Sequence, residues 1–233
     1  MRCPRRWRAG RREMITVWGR RSSGNVQKVL WALTELGLGF ERKVVGGQFG
    51  GGDDPAYRAM NPNGLVPVLQ DGDVTLFESD AIVRHLARTR GMGTLQPADP
   101  AHAARADMWT CWAATTLFPA INPLFLGLVR TPRAAQDVAA LKPAVAPLAE
   151  RIGVLDRALA GRDFLCGATF SFGEIAPAIF ARRALGLPFG APAAPNVAAW
   201  LGRLADRPGF ARWVDVPMGG CLEEWTAHEK ALG

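Results

Sequence analysis

The sequence contains no closely spaced pair of cysteines and no long apolar run. Its four cysteines are Cys3, Cys111, Cys166 and Cys221, and none of them forms a Cys-x-x-Cys motif. This spacing disfavours a zinc site or a dithiol redox motif, and it fits a reducing compartment such as the cytoplasm. No uninterrupted apolar run approaches the roughly 20 residues that a membrane helix needs, so we expect no membrane-spanning segment.

Acidic residues are nearly absent from the first 13 residues, which carry six arginines and one acid, Glu13. This segment supplies most of the formal net charge of +7. An arginine-rich arm can bind nucleic acid or anionic lipid, and transit peptides share its composition. Because Met14 directly precedes a strand pattern, we instead expect residues 1–13 to be a disordered extension or a misplaced translation start. We therefore expect no nucleic-acid partner, and no loss of activity or stability when the extension is deleted.

The first part of the chain alternates between strand and helix patterns. Residues 15–18 are a strand candidate, and apolar residues in 26–36 recur at helical spacing before Gly37, where a helix is expected to end. Residues 40–45 predict a second strand, which completes a strand–helix–strand unit. The turn at 19–24 then lies at the start of a helix, where unpaired N–H groups favour an anion.

A hairpin signal follows, and it leads into another helix pattern. Apolar runs at 66–69 and 74–77 flank Asp71-Gly72, a dipeptide typical of a type I′ turn because both central residues need positive φ. The helix pattern predicts that Ser79 lies near a helix N-terminus, where free amides and the helix dipole favour a carboxylate. A plain hairpin that leads into a helix would give the same pattern.

The second half of the chain is helical by pattern. Residues 91–100 are rich in glycine and proline and predict a linker, and residues 101–233 predict an all-helical domain. Apolar residues in 138–159 are spaced three and four apart, which is typical of one seam in a helix bundle. Pro143 and Pro147 are expected to kink or delay that helix.

A capping-box pattern predicts the start of a later helix. Ser171 is expected to cap the helix, with Glu174 reaching back to it and Phe170 packing on Ile175. We expect these residues to serve folding and not the functional site.

Residues 61–79 and the order of the predicted elements resemble the glutathione site of the cytosolic glutathione S-transferase superfamily. The resemblance implies a thioredoxin-like α/β domain over residues 14–90, followed by the linker and an all-α helical bundle. In that family, the residue before a cis proline binds the peptide of glutathione through its backbone, and a Glu-Ser pair holds the γ-glutamyl end. Carried over to this chain, these roles belong to Val66, Pro67, Glu78 and Ser79.

One position departs from the family pattern. Many relatives carry Lys, Arg or Gln just before the Val-Pro pair, as a donor to the glycyl carboxylate of glutathione, whereas this chain has Leu65. We expect Leu65 to border the glutathione site, and Gln48, Arg20 and Arg21 are candidates for the missing donor. The two arginines are equally compatible with ordinary solvated charges.

Members of this family activate the glutathione thiol with a tyrosine, serine or cysteine near the start of the first helix. Here the sole tyrosine, Tyr57, is far along the chain, and Cys3 is in the extension, which leaves the serines of the turn. Ser23-Gly-Asn25 resembles the first helix entry of serine-type members such as phi and theta. The resemblance makes Ser23 the thiolate-stabilising hydroxyl, with Ser22 as the alternative and Asn25 as a second donor. Ser23 could also be simply a helix N-cap.

The resemblance places the first helix of the second domain beside a hydrophobic co-substrate pocket. Trp112, Phe118 and Phe125 are candidates for its wall, although aromatic residues at helical spacing are more often bundle core. The family is dimeric, so a homodimer is implied. Asp107 is a candidate to reach the γ-glutamyl ammonium group across that dimer interface.

Taken together, the resemblance implies a cytoplasmic, homodimeric glutathione S-transferase of the detoxification type. Its glutathione thiolate would attack a small apolar electrophile, with glutathione as co-substrate and with no metal or other cofactor. Two alternatives remain open. One is a non-catalytic module of the same fold that serves protein interaction. The other is a same-fold disulfide reductase, dehalogenase or isomerase, because specificity depends on the pocket and not on the glutathione motif.

Overall fold

The computed structural model describes residues 14–189 and 193–232, so the arginine-rich extension and the expectations about it lie outside the described residues. Residues 15–90 form a small α/β unit. Its strands and helices are β1 (Ile15–Trp18), α1 (Gly24–Glu35), β2 (Phe40–Lys43), α2 (Pro55–Met60), β3 (Val68–Asp71), β4 (Val74–Phe77) and α3 (Ser79–Arg90).

The four strands form one mixed sheet in the order β2-β1-β3-β4. β1 runs parallel to β2 and antiparallel to β3, which forms a hairpin with β4. Val17 and Leu69 are opposite each other on the two inner strands, and both are fully buried. They belong to the same apolar core as the buried face of α1. This arrangement matches the predicted thioredoxin-like fold.

The hairpin turn differs from the sequence prediction by one residue. Asp71 pairs with Val74, so the central residues of the turn are Gly72 and Asp73. Gly72 has a φ of 60°, and Asp73 does not have positive φ. Glycine with positive φ at the first central position is the requirement of a type II′ turn, so the type I′ prediction was wrong. The Asp-Gly signal predicted the hairpin because Gly72 serves either turn.

The described part of residues 100–232 consists of helices joined by turns and loops. The helices are α4 (Pro100–Trp112), α5 (Phe118–Val129), α6 (Val138–Leu141), α7 (Val145–Leu159), α8 (Ile175–Leu185), α9 (Pro195–Ala205), α10 (Pro208–Trp213) and α11 (Leu222–Leu232). A short 3-10 segment, Lys142–Ala144, separates α6 from α7. The predicted delay at Pro143 is therefore present, whereas Pro147 fits within the first turn of α7, where its missing N–H costs little.

α4 and α5 form one continuous helical run, because a π-helical stretch at Ala113–Leu117 joins them. This run, Pro100–Val129, is 30 residues long and apolar enough to cross a membrane by length and composition alone. The indication is weak, since core helices of soluble proteins pass the same test, and 39% of its most apolar stretch is buried in the protein. The expectation of no membrane span therefore stays a prediction.

The two halves of the chain share one hydrophobic core, in which α1 is central. Trp31 of α1 is fully buried, with its ring 5.2 Å from that of Phe210 and 5.7 Å from that of Phe170. Arg207 lies 3.8 Å above the Phe170 ring and pairs with Glu35 of α1 at 2.5 Å. This packing fixes the C-terminal half of α1 relative to the helical half of the chain.

The predicted capping box at Ser171 is not formed. Ser171 occupies the N-cap position, but its side chain makes no cap hydrogen bond. Glu174 is fully buried, and its carboxylate accepts hydrogen bonds from the backbone N–H groups of Leu165 and Cys166, at 3.0 and 3.2 Å, and from Trp200 Nε1 at 3.0 Å. Burial raises the pKa of Glu174 to about 7. The residue does serve folding, but through three tertiary donors.

Candidate functional site

Three segments of the α/β unit converge at one end of the sheet. They are the turn after β1, the Val66–Pro67 peptide and the start of α3. The Val66–Pro67 peptide is cis, as the resemblance to the family implied. A Cβ atom added to Gly19 would lie 3.3 Å from Val66 Cβ, so the turn contacts this peptide. Ser79 Oγ donates a hydrogen bond of 3.3 Å to Asn25 Oδ1, which joins the start of α3 to the start of α1.

The two serines of the turn have different surroundings. Ser23 is the N-cap residue of α1 and is partly exposed, and its side chain makes no cap hydrogen bond. The Ser23 hydroxyl therefore does not cap α1 through a hydrogen bond. Ser22 is buried, and its hydroxyl donates to the carboxylate of Glu229 on α11. Asn25 is exposed in the first turn of α1.

Glu78 and Ser79 mark the start of α3. Glu78 is exposed and has a φ of 69°, a left-handed conformation that is uncommon for residues other than glycine and that recurs at functional sites. Ser79 is buried as the first residue of the helix. The first turn of α3 lies next to Asn25, and the first N–H groups of a helix have no partner within it, so an anionic end of a ligand is favoured there.

A buried ion pair that the sequence analysis missed holds this helix start. Lys28 of α1 is almost fully buried and lies 3.0 Å from the carboxylate of Asp80, with its Nζ 5.0 Å above the Phe180 ring. Burial lowers the pKa of Lys28, and Asp80 opposes that shift. A lysine within the otherwise buried stretch of α1 was the available signal, because buried lysines are nearly always paired.

Hydrogen bonds hold the backbone before the cis peptide. The carbonyl of Leu65 accepts hydrogen bonds from Tyr57 Oη at 2.8 Å and from Asn61 Nδ2 at 2.7 Å. The Leu65 side chain is 67% exposed. Burial raises the pKa of Tyr57 to about 12. The sole tyrosine therefore holds the Leu65 carbonyl just before Val66, and its exclusion as the thiol activator stays a prediction.

A basic cluster borders the turn from the other side. Arg183 of α8 donates to the Ser22 carbonyl at 2.7 Å and to Gln27 Oε1 at 3.0 Å. Burial, together with Arg20 and Arg130, lowers the pKa of Arg183 to about 10. Arg183 was not among the sequence-predicted residues, because its contacts connect residues about 160 positions apart.

Gln48 and Arg20 meet the C-terminal helix. Gln48 Nε2 donates to the Glu229 carboxylate at 2.6 Å, and Arg20 Nε lies 3.2 Å from it. Arg21 donates instead to the carbonyl of Arg212 at 2.6 Å. Two of the three candidate donors for a glycyl carboxylate are thus close together, and they already contact an internal carboxylate.

The three candidate pocket residues differ in exposure. Phe118 is 39% exposed, and its ring lies 5.1 Å from that of Phe180. Trp112 is partly exposed and packs edge-on against Trp109. Phe125 is only 9% exposed and packs against Trp225, so it belongs to the core. Phe118 and Trp112 keep surface that a ligand can contact.

Asp107, the candidate for contact across a dimer, is engaged within its own chain. Its carboxylate lies 2.5 Å from Arg84 Nε and 3.7 Å from Arg88. Within residues 14–189 and 193–232, no group of three or more His, Cys, Asp or Glu side chains is placed to hold a metal ion.

Comparison with known proteins identifies the family. The family models "Glutathione S-transferase, N-terminal domain" and "Glutathione S-transferase, C-terminal domain" match residues 22–89 and 110–208. The chain is 40% identical over 207 residues to Glutathione S-transferase GstB of Escherichia coli K12, which covers 88% of this chain and 100% of that protein. The chain belongs to the glutathione S-transferase family.

Other glutathione S-transferases are also similar. Glutathione S-transferase 3 of Zea mays is 34% identical over 208 residues, which cover 86% of this chain and 93% of that one. The theta class glutathione S-transferase of Xanthomonas axonopodis pv. citri, solved with glutathione bound, has a TM-score of 0.84 and 42% identity, and covers 88% of this chain and 99% of that chain. The predicted family, fold and glutathione-dependent transferase activity are confirmed.

Proposed function

We propose that the turn after β1, the Val66–Pro67 peptide and the start of α3 together bind glutathione. The Val66 backbone would pair with the peptide of glutathione, and the first turn of α3 at Glu78 and Ser79 would hold the γ-glutamyl carboxylate. The glutathione thiolate would then lie at the start of α1. The placement is supported by the contacts that join these three segments at one end of the sheet.

Ser23 is assigned to the thiolate, with Asn25 as a second donor. A thiolate is the reactive nucleophile, and hydrogen-bond donors at a helix start stabilise it relative to the thiol. Ser23 is favoured over Ser22 because the Ser23 hydroxyl makes no cap hydrogen bond, whereas the Ser22 hydroxyl already donates to Glu229. The thiolate would attack the electrophilic carbon of an apolar co-substrate and displace its leaving group.

The electrophile is expected to contact the exposed parts of Trp112 and Phe118 on the α4–α5 run. Glutathione is the co-substrate of the proposed reaction, and the attack of its thiolate requires no other cofactor. We also propose that the chain works as a homodimer in the cytoplasm. The cytoplasmic location is supported by Cys111, Cys166 and Cys221, which are all free thiols.

The proposal is tested by titrating glutathione into the protein in a calorimeter and by assaying a panel of apolar electrophiles with and without glutathione. We expect heat of binding at millimolar glutathione or below, and conjugates that form only when glutathione is present. Binding without conjugation of any electrophile would favour the non-catalytic module, to which the departure at Leu65 points. Disulfide reduction, dehalogenation or isomerisation in the same assays would instead identify a same-fold enzyme with other thiol chemistry.

A further inference from the structure

The C-terminal helix α11 places a carboxylate against the turn after β1. Glu229 is buried, with only 5% of its surface exposed. Its carboxylate accepts hydrogen bonds from Ser22 Oγ and from Gln48 Nε2 at 2.6 Å, and it lies 3.2 Å from Arg20 Nε. These three partners come from the α/β unit, more than 180 residues earlier in the chain.

The three partners form a site suited to a carboxylate. A hydroxyl, an amide N–H and a guanidinium are all donors, and hydrogen bonds to an ionised acceptor are stronger than those between neutral groups. Arg130 and Arg183 add positive charge to this cluster: Arg130 lowers the pKa of both Arg20 and Arg183, and Arg20 lowers the pKa of Arg183. Glu229 is the one carboxylate that contacts Arg20, Ser22 and Gln48 in the described part of the chain.

The same site adjoins the proposed glutathione site. A Cβ atom added to Gly46, two residues before Gln48, would lie 3.1 Å from Val66 Cγ1 and 3.2 Å from Arg20 Nη1. A tripeptide paired with the Val66 backbone therefore has one end beside Arg20 and Gln48. Glutathione carries a carboxylate at its glycyl end, so that group and the Glu229 carboxylate require the same donors.

α11 also leaves little free space beside the turn. The cavity between them is lined by Ser22, Arg183, Met218, Trp225, His228 and Glu229, and its water-accessible volume is about 20 Å³. That volume holds about one water molecule. The helix lies beyond residue 208, where the match to the family model of the C-terminal domain ends. The family match therefore does not account for the contact.

We propose that Glu229 is an internal carboxylate that competes with the glycyl carboxylate of glutathione for Arg20, Ser22 and Gln48. This inference rests on the proposed function. Glutathione binding then requires that the end of α11 releases these donors, and the apparent affinity falls by the fraction of protein in which they are occupied. Glu229 is thus an affinity-determining residue, and it also holds Ser22 away from the thiolate.

The test compares Glu229→Gln with the wild-type protein by calorimetric titration of glutathione and of its glycyl ethyl ester. Glu223→Gln is the matched control, because it removes one negative charge from the exposed face of the same helix. We expect Glu229→Gln to bind glutathione about fivefold more tightly or better, and to bind the ester, which lacks the competing charge, with little change. Glu223→Gln is expected to match the wild type.

Each other result has a distinct meaning. Equal glutathione affinity in Glu229→Gln and the wild type, or weaker binding in the variant, would overturn the competition and leave the proposed function standing. Equal tightening for glutathione and its ester would show that α11 only obstructs the site, which also overturns a carboxylate competition. No binding of glutathione to any of the three proteins would overturn the proposed function itself.

A second measurement does not depend on the variant. Amide hydrogen exchange in α11 reports how often the helix opens. We expect saturating glutathione to increase exchange over residues 222–232 in the wild-type protein, because the ligand displaces Glu229. Unchanged or slower exchange in α11 with glutathione bound would overturn the inference.

Discussion

The Ser79 hydroxyl donates a hydrogen bond of 3.3 Å to Asn25 Oδ1, and this contact brings the N-termini of α3 and α1 together. Both helix ends carry unpaired N–H groups and the positive end of a helix dipole. The two helix ends therefore offer two neighbouring positions that favour an anion, and in the proposed site these would hold the thiolate and the γ-glutamyl carboxylate of glutathione. In the proposed site, the contact between these two residues would allow one small domain to bind a molecule that carries negative charge at two separate points.

Replacing Ser23 with Ala should reduce the conjugation rate about 10-fold, which corresponds to roughly 1.4 kcal/mol of lost thiolate stabilisation. The steady-state rate with one electrophile at saturating glutathione measures it. If Ser23 donates to sulfur, the apparent pKa of the bound thiol should rise in the variant, which the pH dependence of kcat/KM reports.

Ser22→Ala is the matched control for this experiment. Its hydroxyl donates to Glu229 in this structure and, by the inference above, to the glycyl carboxylate once glutathione is bound, so the variant should keep the thiol pKa of the wild type. A normal pH profile in Ser23→Ala with a shifted one in Ser22→Ala would assign the role to Ser22. If neither variant shifts the profile, Asn25 is the donor to examine.

Replacing Asp80 with Asn should destabilise the protein by about 3 kcal/mol at pH 7, because it leaves the buried Lys28 ammonium without its carboxylate. Burial favours the neutral amine of Lys28. The variant should therefore regain stability as the pH rises through the lowered pKa of Lys28, since the folded state then binds fewer protons than the unfolded state. Urea unfolding at pH 7 and pH 10 measures both effects.

Asp53→Asn provides the control for the Asp80 variant. Asp53 pairs with Arg58 at 2.5 Å, but its side chain is 94% exposed. An exposed pair contributes little, so this variant should lose less than about 1 kcal/mol. Equal losses in the two variants would contradict the burial argument.

The fold was predictable because its signals are local. Periodic apolar residues marked α1 and the hairpin, and Gly72 marked the turn even though its type was misassigned. The structure brings the family-motif segments at Val66–Pro67 and Glu78–Ser79 together with the turn that carries Ser23, but the binding roles of these residues stay predictions.

Contacts between distant parts of the chain could not be predicted. Glu174 follows Ser171 at the spacing of a capping box, but its carboxylate instead contacts Trp200, and only the tertiary packing decides between those partners. Glu229 and Ser22 are separated by 207 residues, with no sequence pattern to connect them. A local sequence pattern shows which hydrogen-bonding side chains are present, whereas the tertiary packing determines which of them contact each other.

Phe118→Ala should raise the KM for an apolar electrophile several-fold while reducing stability by no more than about 1 kcal/mol, because a partly exposed ring buries limited area. Phe125→Ala should instead cost about 3–5 kcal/mol of stability, as expected for a core phenylalanine. Met108→Ala, at an exposed position of α4, is the control and should change neither quantity. An unchanged electrophile KM in Phe118→Ala would remove Phe118 from the pocket.

The stability of the wild-type protein should fall as the pH rises from about 5 to about 8, and Glu174 should account for part of that fall. Burial raises the pKa of Glu174 from 4.5 to about 7, so between these values the folded state holds a proton that the unfolded state has lost. Stability then decreases with rising pH, by at most about 3 kcal/mol from this group. Urea unfolding at pH 5, 6, 7 and 8 measures the slope.

The Glu174→Gln variant separates the contribution of Glu174 to the pH dependence of stability from the contributions of other groups that titrate in the same pH range. The amide cannot ionise, so its contribution to the slope disappears, although one of the three donors at Leu165, Cys166 and Trp200 then loses its acceptor. The variant should thus be clearly less stable than the wild type at pH 5, and the difference should shrink toward pH 8. Glu150→Gln, at an exposed side chain, should keep the wild-type slope. A stability difference between Glu174→Gln and the wild type that is constant from pH 5 to pH 8 would mean that Glu174 is ionised throughout, with its three donors outweighing the cost of burial.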